Sequence, residues 1–252
     1  MAATILRLSL LTAFFLPTLN MANDRPLTVD DLLALESVGN PQVSPDGQWV
    51  AYTISSRDTE EDKRTTQIWM VSSDGGTPIP MTSAGYSASN PRWSPDNKYL
   101  SFSASKDEDA KSQVWSLNRL GGEAIQVTNV KQGISGFEWS PDGSRLLLII
   151  QDPKASDLTE DKDDDKKPLP HVIDRMQFKR DYVGYLDRRR RHLYVYTPGS
   201  ENPTQLTSGD YDNSDPVWSP DGKSIAFVSD RSEDPDLHWG TDVWIVEVDD
   251  PD

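Results

Sequence analysis

Serine and histidine are the side chains of this sequence that could perform nucleophilic or acid–base catalysis. A serine nucleophile on an α/β-hydrolase scaffold requires a Gly-x-Ser-x-Gly turn between a strand and a helix. The nearest strings, which surround Ser87 and Ser135, do not have that spacing. The three histidines, His171, His192 and His238, include no pair spaced for zinc. We therefore predict no catalytic residue and no metal ligand in this chain. We interpret His192 as structural, and for His238 exposure on a loop is as good an explanation as function.

Composition excludes further classes of site. The 252 residues include no cysteine, so disulfides, thiolate metal sites and a cysteine nucleophile are ruled out. The formal net charge of −16 argues against a nucleic-acid partner, because a polyanion would be repelled. No Gly-rich loop follows a strand to bind a phosphate, so no cofactor is predicted. The many Asp and Glu residues are interpreted as solvated surface, and substrate-binding residues stay unassigned.

The N-terminus has the order of a secretory signal. Arg7 precedes an apolar run over residues 8–16 that Pro17 ends, and this run is too short to span a membrane. We predict a signal peptide over residues 1–22 and a periplasmic or secreted protein. If translation starts at Met21, the protein would instead be cytoplasmic. No other stretch has the length of a span, so no integral membrane segment is predicted.

The elements that would position any site form a repeat. Ser-Pro-Asp-Gly occurs at residues 44–47, 140–143 and 219–222, with Asn in place of Gly at 94–97. Tryptophan directly precedes three of the four copies, and two apolar strands follow each copy. In three units a further strand ends in an apolar residue and threonine: Met81-Thr82, Val127-Thr128 and Leu206-Thr207. Four strands per unit of about 40–50 residues are the signature of a propeller blade. The predicted fold class is all-β, a β-propeller with four-stranded antiparallel blades.

The recurring turn has a mechanical explanation. Proline presets φ for the second position of a type I turn, and the serine side chain can bond the turn backbone. Glycine then adopts a positive φ without a Cβ clash, and Asn97 is the next best residue for that conformation. The acidic turns are therefore interpreted as hairpin turns and not as metal sites.

A short N-terminal helix is predicted before the first blade. Thr28-Val-Asp-Asp31 resembles a capping box that opens a helix through Glu36, and Gly39 and Pro41 would stop it. We expect this helix to pack against the side or rim of the propeller. The predicted segments are a helical one over residues 23–39 and a partial propeller over residues 40–252.

The third unit carries an insert. Successive motifs start 50, 46 and 79 residues apart, and the excess falls between Asp152 and Arg191. Its first part, about 152–170, is acidic and predicted to be mobile, whereas residues 171–186 contain apolar side chains that should pack onto something. The basic run 188–191 is expected to pair with the acidic loop or with neighbouring carboxylates. A second interpretation is that it faces a bound acidic group or another domain.

The strand count gives about three and a half blades. The fourth unit stops after its second post-turn strand, at Val248. Propellers close as rings of typically four to eight blades. One possibility is a four-bladed ring closed by the segment Gln42–Val43. We favour a fragment of a longer propeller.

Particular segments resemble the prolyl-oligopeptidase family of serine peptidases, in its acylaminoacyl-peptidase and dipeptidyl-peptidase branch. The opening segments 27–33 and 44–52, LTVDDLL and SPDGQWVAY, look like the start of such proteins. The insert segments 174–186 and 190–194, DRMQFKRDYVGYL and RRHLY, are similar to a stretch inside that branch's propeller. The Ser-Pro-Asp-Gly repeat alone is also shared with the Tol-system propeller. Together these features cover most of residues 27–248.

The resemblance implies a propeller of seven or eight blades over the active site of a C-terminal α/β-hydrolase domain. In that family the propeller admits short or unstructured peptides, and the hydrolase domain supplies the Ser, Asp and His. None of these catalytic residues has a counterpart here, so this chain is expected to be inactive alone, with peptide substrate reached through the missing domain. Glu60 and Glu61 resemble a pair that holds the peptide amine in some relatives, but their context differs and the role is not transferred. The alternatives are a non-catalytic exported propeller that binds proteins, like the Tol-system protein, and a degraded remnant; the oligomeric state is open.

Overall fold

A computed structural model of the chain describes residues 25–107, 110–154, 173, 175–233, 237 and 240–250. The predicted signal peptide, His171, His238 and almost all of the predicted acidic insert lie outside these residues. Among the described residues, no helix is both long and apolar enough to cross a membrane. Two compact units are distinguished, one ending at Ala34 and the other spanning Leu35–Asp252.

Four successive antiparallel sheets form the larger unit, and each corresponds to one of the predicted repeats. Blade 1 consists of β1 (Ser37–Val43), β2 (Trp49–Asp58), β3 (Lys63–Ser72) and β4 (Ile79–Pro80). Blade 2 consists of β5 (Ala88–Trp93), β6 (Tyr99–Ala104), β7 (Gln113–Asn118) and β8 (Ile125–Gln126). Blade 3 consists of β9 (Gly136–Trp139), β10 (Leu146–Gln151), β13 (Arg191–Tyr196) and β14 (Thr204–Gln205). Blade 4 consists of β15 (Asn213–Trp218), β16 (Ser224–Ser229) and β17 (Asp242–Glu247). The prediction of an all-β fold built from antiparallel propeller blades is confirmed.

Each Ser-Pro-Asp turn joins the first two strands of its blade by the same hydrogen bonds. In blade 1 the Ser44 hydroxyl donates to Asp46 and accepts the backbone N–H of Trp49 at 3.0 Å. The other three turns repeat this pair of bonds. Gly47 has φ +71°, and Asn97 has φ +60° at the equivalent position. The turn geometry expected from the sequence is therefore present in all four blades.

The recurring threonine completes the outer edge of a blade. The fourth strand of blades 1 to 3 is only two residues long, so the next N–H of the neighbouring strand needs another acceptor. In blade 2 the Thr128 hydroxyl accepts the N–H of Val114 at 2.9 Å. Thr82 and Thr207 make the same bond at the same distance in blades 1 and 3.

The core lies between the blades. We call the face of each sheet that is directed at the next blade in sequence its forward face, and the opposite face its rear face. Ala51 and Ile68 on the forward face of blade 1 pack with Trp93, Leu100 and Phe102 on the rear face of blade 2, and all are buried. Equivalent clusters join blade 2 to blade 3 and blade 3 to blade 4. Each buried large apolar side chain contributes about 1.5–3 kcal/mol, so these interfaces stabilise the arc.

The N-terminal helix is present but shorter than predicted. It spans α1 (Val29–Leu33), and Thr28 and Asp31 form the expected capping box. The helix ends before Glu36 because the chain must be extended from Ser37 onwards, where β1 pairs with β2. Gly39 and Pro41, predicted to stop the helix, therefore lie within β1. None of the five helical residues is buried, and packing against the propeller stays a prediction.

The described end of the insert forms a hairpin of its own. It consists of β11 (Lys179–Arg180) and β12 (Gly184–Tyr185). The rings of Phe178 and Tyr185 lie 6.4 Å apart on one side of it. Both side chains are exposed, as is Tyr182 at the turn. The expectation that these apolar residues are packed is therefore wrong for the described residues.

Candidate functional site

The first strands of the four blades border one cavity of about 520 Å³. Each of these strands, β1, β5, β9 and β15, is an edge strand of its own sheet. Because they share a cavity, they are the innermost strands, next to the propeller axis. The polar and charged lining side chains include Asn40, Asn90, Arg92, Glu138 and Asp215.

Three of the four inner strands carry a β-bulge. Asn40, Asn90 and Asp215 have φ values of +47°, +53° and +48°, and the pairing register shifts beside each of them. Asn and Asp tolerate this conformation better than most residues, and the proline that follows each one lacks an N–H that the bulge would leave unpaired. The fourth inner strand, β9, pairs with β10 without a shift. The Asn-Pro and Asp-Pro pairs are the sequence signal for these bulges.

One register position of the inner strands carries a different side chain in each blade, and in blades 2 to 4 that side chain lines the cavity. Gln42, Arg92, Glu138 and Val217 occupy the same register opposite the second strand of their blades. Each stands directly before the Val or Trp that precedes Ser-Pro-Asp. Sequence reasoning assigned no substrate-binding residues, and these positions were missed. They are visible in the sequence as the variable residue within an otherwise repeating string.

Arg92 and Glu138 give this cavity its electrostatic character. Burial lowers the pKa of Arg92, and the nearby Glu138 charge opposes that effect. Burial likewise raises the pKa of Glu138, and the Arg92 charge opposes it. One guanidinium nitrogen of Arg92 donates to the carbonyl oxygen of Pro91 at 2.9 Å. In the described part of the chain, Glu138 accepts no hydrogen bond and makes no ion-pair contact.

The basic run 188–191 pairs with nearby carboxylates, as the first of its two interpretations predicted. Arg190 is buried and donates to Asp210 at 2.7 Å, while its backbone N–H bonds Asp152 at 2.9 Å. Arg191 bonds Asp212 through its backbone and its side chain. These contacts join β13 to the loop that precedes β15. The run therefore has a structural role in joining blades 3 and 4.

The remaining chemical candidates are not assembled into a site. His192 is buried, with Nε2 3.6 Å from an Asp152 oxygen and Nδ1 3.4 Å from the Asn213 amide nitrogen. Glu60 and Glu61 lie in the exposed turn between β2 and β3, where Glu61 pairs with a lysine. Among the described residues, no group of three His, Asp or Glu side chains is placed to hold a metal ion.

Curated relatives of the chain are named as peptidases. The chain is 32% identical over 220 residues to an uncharacterized peptidase, YuxL, of Bacillus subtilis (strain 168), and the match covers 87% of this chain and 34% of that protein. It is 30% identical over 86 residues to dipeptidyl-peptidase 5 of Porphyromonas endodontalis, covering 34% of this chain and 12% of that protein. The chain thus spans about a third or less of the length of these relatives. No protein-family model matches it.

Solved structures share the fold. The acylaminoacyl peptidase of Pyrococcus horikoshii superposes with a TM-score of 0.59 at 21% identity, covering 85% of this chain and 31% of that one. TolB from Acinetobacter baumannii superposes with a TM-score of 0.55 at 20% identity, covering 85% of this chain and 42% of that one. These likenesses support the propeller fold for the chain. The sequence matches, by contrast, are to proteins named as peptidases. The chain has a β-propeller fold, and in sequence it is similar to proteins named as peptidases, in agreement with the resemblance noted above.

Proposed function

We propose that this chain is the substrate-gating propeller portion of a serine peptidase that cleaves short peptides. The observation that carries the proposal is the 32% identity, over 87% of the chain, to a protein named as a peptidase. The chemistry would belong to an α/β-hydrolase domain outside these residues. The propeller would contribute a narrow axial passage that folded proteins cannot enter.

The exposed forward face of blade 4 supports a longer propeller. Leu193 and Val195, on the forward face of blade 3, are 0% and 9% exposed. Val243 and Ile245 occupy the same register positions in blade 4 and are 72% and 70% exposed. Exposed apolar sheet faces of this kind mark surfaces that bind another element or chain. On the pattern of the three interfaces within the chain, the cover would be the rear face of another blade of the same design.

The rear face of blade 1 supports the same conclusion from the other end of the arc. Val43 is 63% exposed, whereas Trp93 at the equivalent position in blade 2 is 8% exposed. A ring of seven or eight blades would cover both faces at once. The described four blades would then form roughly half of the wall around the axis.

Gating follows from the stiffness of such a wall. Each inner strand is tied to its blade by a bonded hairpin turn and to its neighbour by a buried apolar interface. A passage built in this way excludes folded proteins by size and admits extended peptides. The propeller thereby restricts which substrates reach the hydrolase domain and takes no part in bond cleavage.

The experiment is to sequence the genomic reading frame beyond codon 252 and express everything it encodes. We expect a Gly-x-Ser-x-Gly hydrolase domain and a protein that hydrolyses short peptide nitroanilides but leaves folded proteins intact. The 252-residue chain alone should show no turnover. A stop codon after Asp252, together with a partner captured from envelope extract, would favour the non-catalytic alternative. That alternative has less support, because the relatives matched by sequence are named as peptidases, whereas TolB is matched by fold alone.

We also propose that the protein is exported to the periplasm or secreted. The support is the charged and apolar order of residues 1–22. Mature protein recovered from the periplasm or medium should begin close to residue 23. Cytoplasmic protein that begins at Met21 would contradict this proposal.

A further inference from the structure

We propose that Glu138 is the recognition residue for a cationic group of a peptide bound in the axial cavity. The group would be an α-ammonium or a basic side chain, which share a positive charge and N–H donors. This inference rests on the proposed function, because it takes a peptide to be the ligand. It adds which residue and which part of the peptide would make the contact.

The strand that carries Glu138 places it firmly. In β9, Glu138 pairs with Leu147 in a ladder without a bulge, and its neighbour Trp139 donates an indole hydrogen bond to Ser101 of blade 2 at 3.1 Å. Phe137, on the other side, is buried in the interface between blades 2 and 3. The backbone under Glu138 is thus fixed from both sides. Preorganisation of this kind lowers the entropic cost of binding.

The carboxylate of Glu138 is half-buried, lines the cavity and, among the described residues, has no protein donor at hydrogen-bond distance. In the described part of the chain no N–H or O–H group donates to it, and Arg92 interacts with it only at longer range. Partial burial disfavours the ionised carboxylate, so a cationic donor placed beside it would be favourable. An incoming ammonium or guanidinium would supply the missing hydrogen bonds and the opposite charge together.

The charges around the cavity favour a cation over an anion. Its charged lining side chains are Arg92, Glu138 and Asp215, which leaves one negative charge in excess. Arg92 keeps one guanidinium nitrogen on the Pro91 carbonyl and does not form an ion pair with Glu138. A cavity of about 520 Å³ lies within the range of roughly 300–1,000 Å³ that is usual for small-ligand sites. The end of a short peptide would fit this space.

The test is calorimetric titration of the 252-residue chain with three matched tripeptide amides. The probes are Ala-Ala-Phe-NH₂ with a free amine, acetyl-Ala-Ala-Phe-NH₂ without a cation, and acetyl-Lys-Ala-Phe-NH₂ with a side-chain cation only. We expect both cationic peptides, or one of them, to bind at least tenfold more tightly than the neutral peptide. The comparison between the two cationic probes distinguishes the α-ammonium from the basic side chain.

Variants locate the contact. Glu138→Gln should remove the tenfold preference and leave binding of the neutral peptide unchanged, whereas the matched control Glu201→Gln, on an exposed turn, should leave all three affinities unchanged. Arg92→Gln should strengthen cation binding, because it removes a nearby positive charge. Should Glu138→Gln fail to fold, Glu138→Asp, which keeps the charge on a shorter side chain, should weaken cation binding without abolishing it.

Two outcomes would overturn the inference. One is equal binding of the neutral and cationic peptides, or of the wild type and Glu138→Gln; peptide gating would then survive without cation recognition. The other is no binding of any probe at millimolar concentration. The hydrolase-domain experiment judges the proposed function separately, so the failure of one proposal is distinguishable from the failure of the other.

Discussion

The same substitution, made at equivalent positions of two blades, should lower the free energy of unfolding by very different amounts. Val114 in blade 2 and Val243 in blade 4 occupy equivalent places on the forward faces, and they are 0% and 72% exposed. Val→Ala removes two methyl groups. At ~0.8 kcal/mol per buried group plus a cavity contribution, Val114→Ala should cost about 2 kcal/mol. Val243 has about a quarter of its surface buried, so Val243→Ala should cost ~0.5 kcal/mol on the same scale.

Urea unfolding followed by tryptophan fluorescence measures both costs. Because β7 is a central strand of its sheet and β17 is an edge strand, the loss of β-propensity can differ between the two variants by up to ~1 kcal/mol, which is less than the difference expected from burial. Equal costs would refute the assignment of an uncovered forward face on blade 4. Sedimentation velocity would then show whether a second copy covers it. In a longer protein with a fifth blade, Val243→Ala should become as costly as Val114→Ala.

Three further predictions concern the repeated framework. Thr128→Val should destabilise by about 1–3 kcal/mol in urea, because the buried N–H of Val114 loses its acceptor; a cost near zero would contradict the role given to the threonine. The pKa of Asp142 is lowered from its ordinary value of 3.8 to about 2, chiefly by the hydrogen bond from the hydroxyl of the turn serine. The stability that the ionised Asp142 contributes is therefore present above pH 3.8 and is lost as the pH falls towards 2. The difference in urea midpoint between wild type and Asp142→Asn should shrink over that range, and a constant difference would contradict it. Gly133→Ala should lower the free energy of unfolding by ~1–2 kcal/mol more than Gly75→Ala. Both glycines have a positive φ, but only at Gly133 would an added Cβ lie 2.8 Å from a neighbouring carbon. Equal urea midpoints of the two variants would contradict this.

The blades were predictable because local and long-range signals coincide in one string. Ser-Pro-Asp-Gly specifies a hairpin turn by itself, and the tryptophan before it specifies a large buried side chain between sheets. In the structure the Ser44 turn and the Trp93 interface are separate physical features; the turn recurs in all four repeats and the tryptophan in three of them. Four concordant copies are hard to accommodate in any other fold.

The wrong predictions have one physical cause: they depend on which strands pair or lie side by side, and the local sequence does not reveal this. The capping box at Thr28 correctly predicts where the helix begins, but its end is determined by the ladder between β1 and β2, whose partner lies beyond the first turn. The apolar residues around Phe178 were expected to be covered, and their hairpin instead pairs with itself. The axial cavity was missed for the same reason. Arg92 and Glu138 are 46 residues apart in the sequence, and they line one cavity only because blades 2 and 3 lie side by side.

The residue directly before the Trp or Val of each inner strand is not needed for the turn, the bulge or the interface between blades. The turn uses the serine and aspartate for hydrogen bonds, the interface uses the tryptophan, and three bulges use the proline. Gln42, Arg92, Glu138 and Val217 differ in size and charge although they share one backbone register. Because no packing or turn requirement fixes this side chain, the charge of the cavity can change while the blades remain stable. Glu138→Gln should therefore lower the unfolding free energy by no more than ~0.5 kcal/mol, while it weakens cation binding tenfold. A loss of stability comparable to that of Val114→Ala would show instead that the carboxylate is part of the framework.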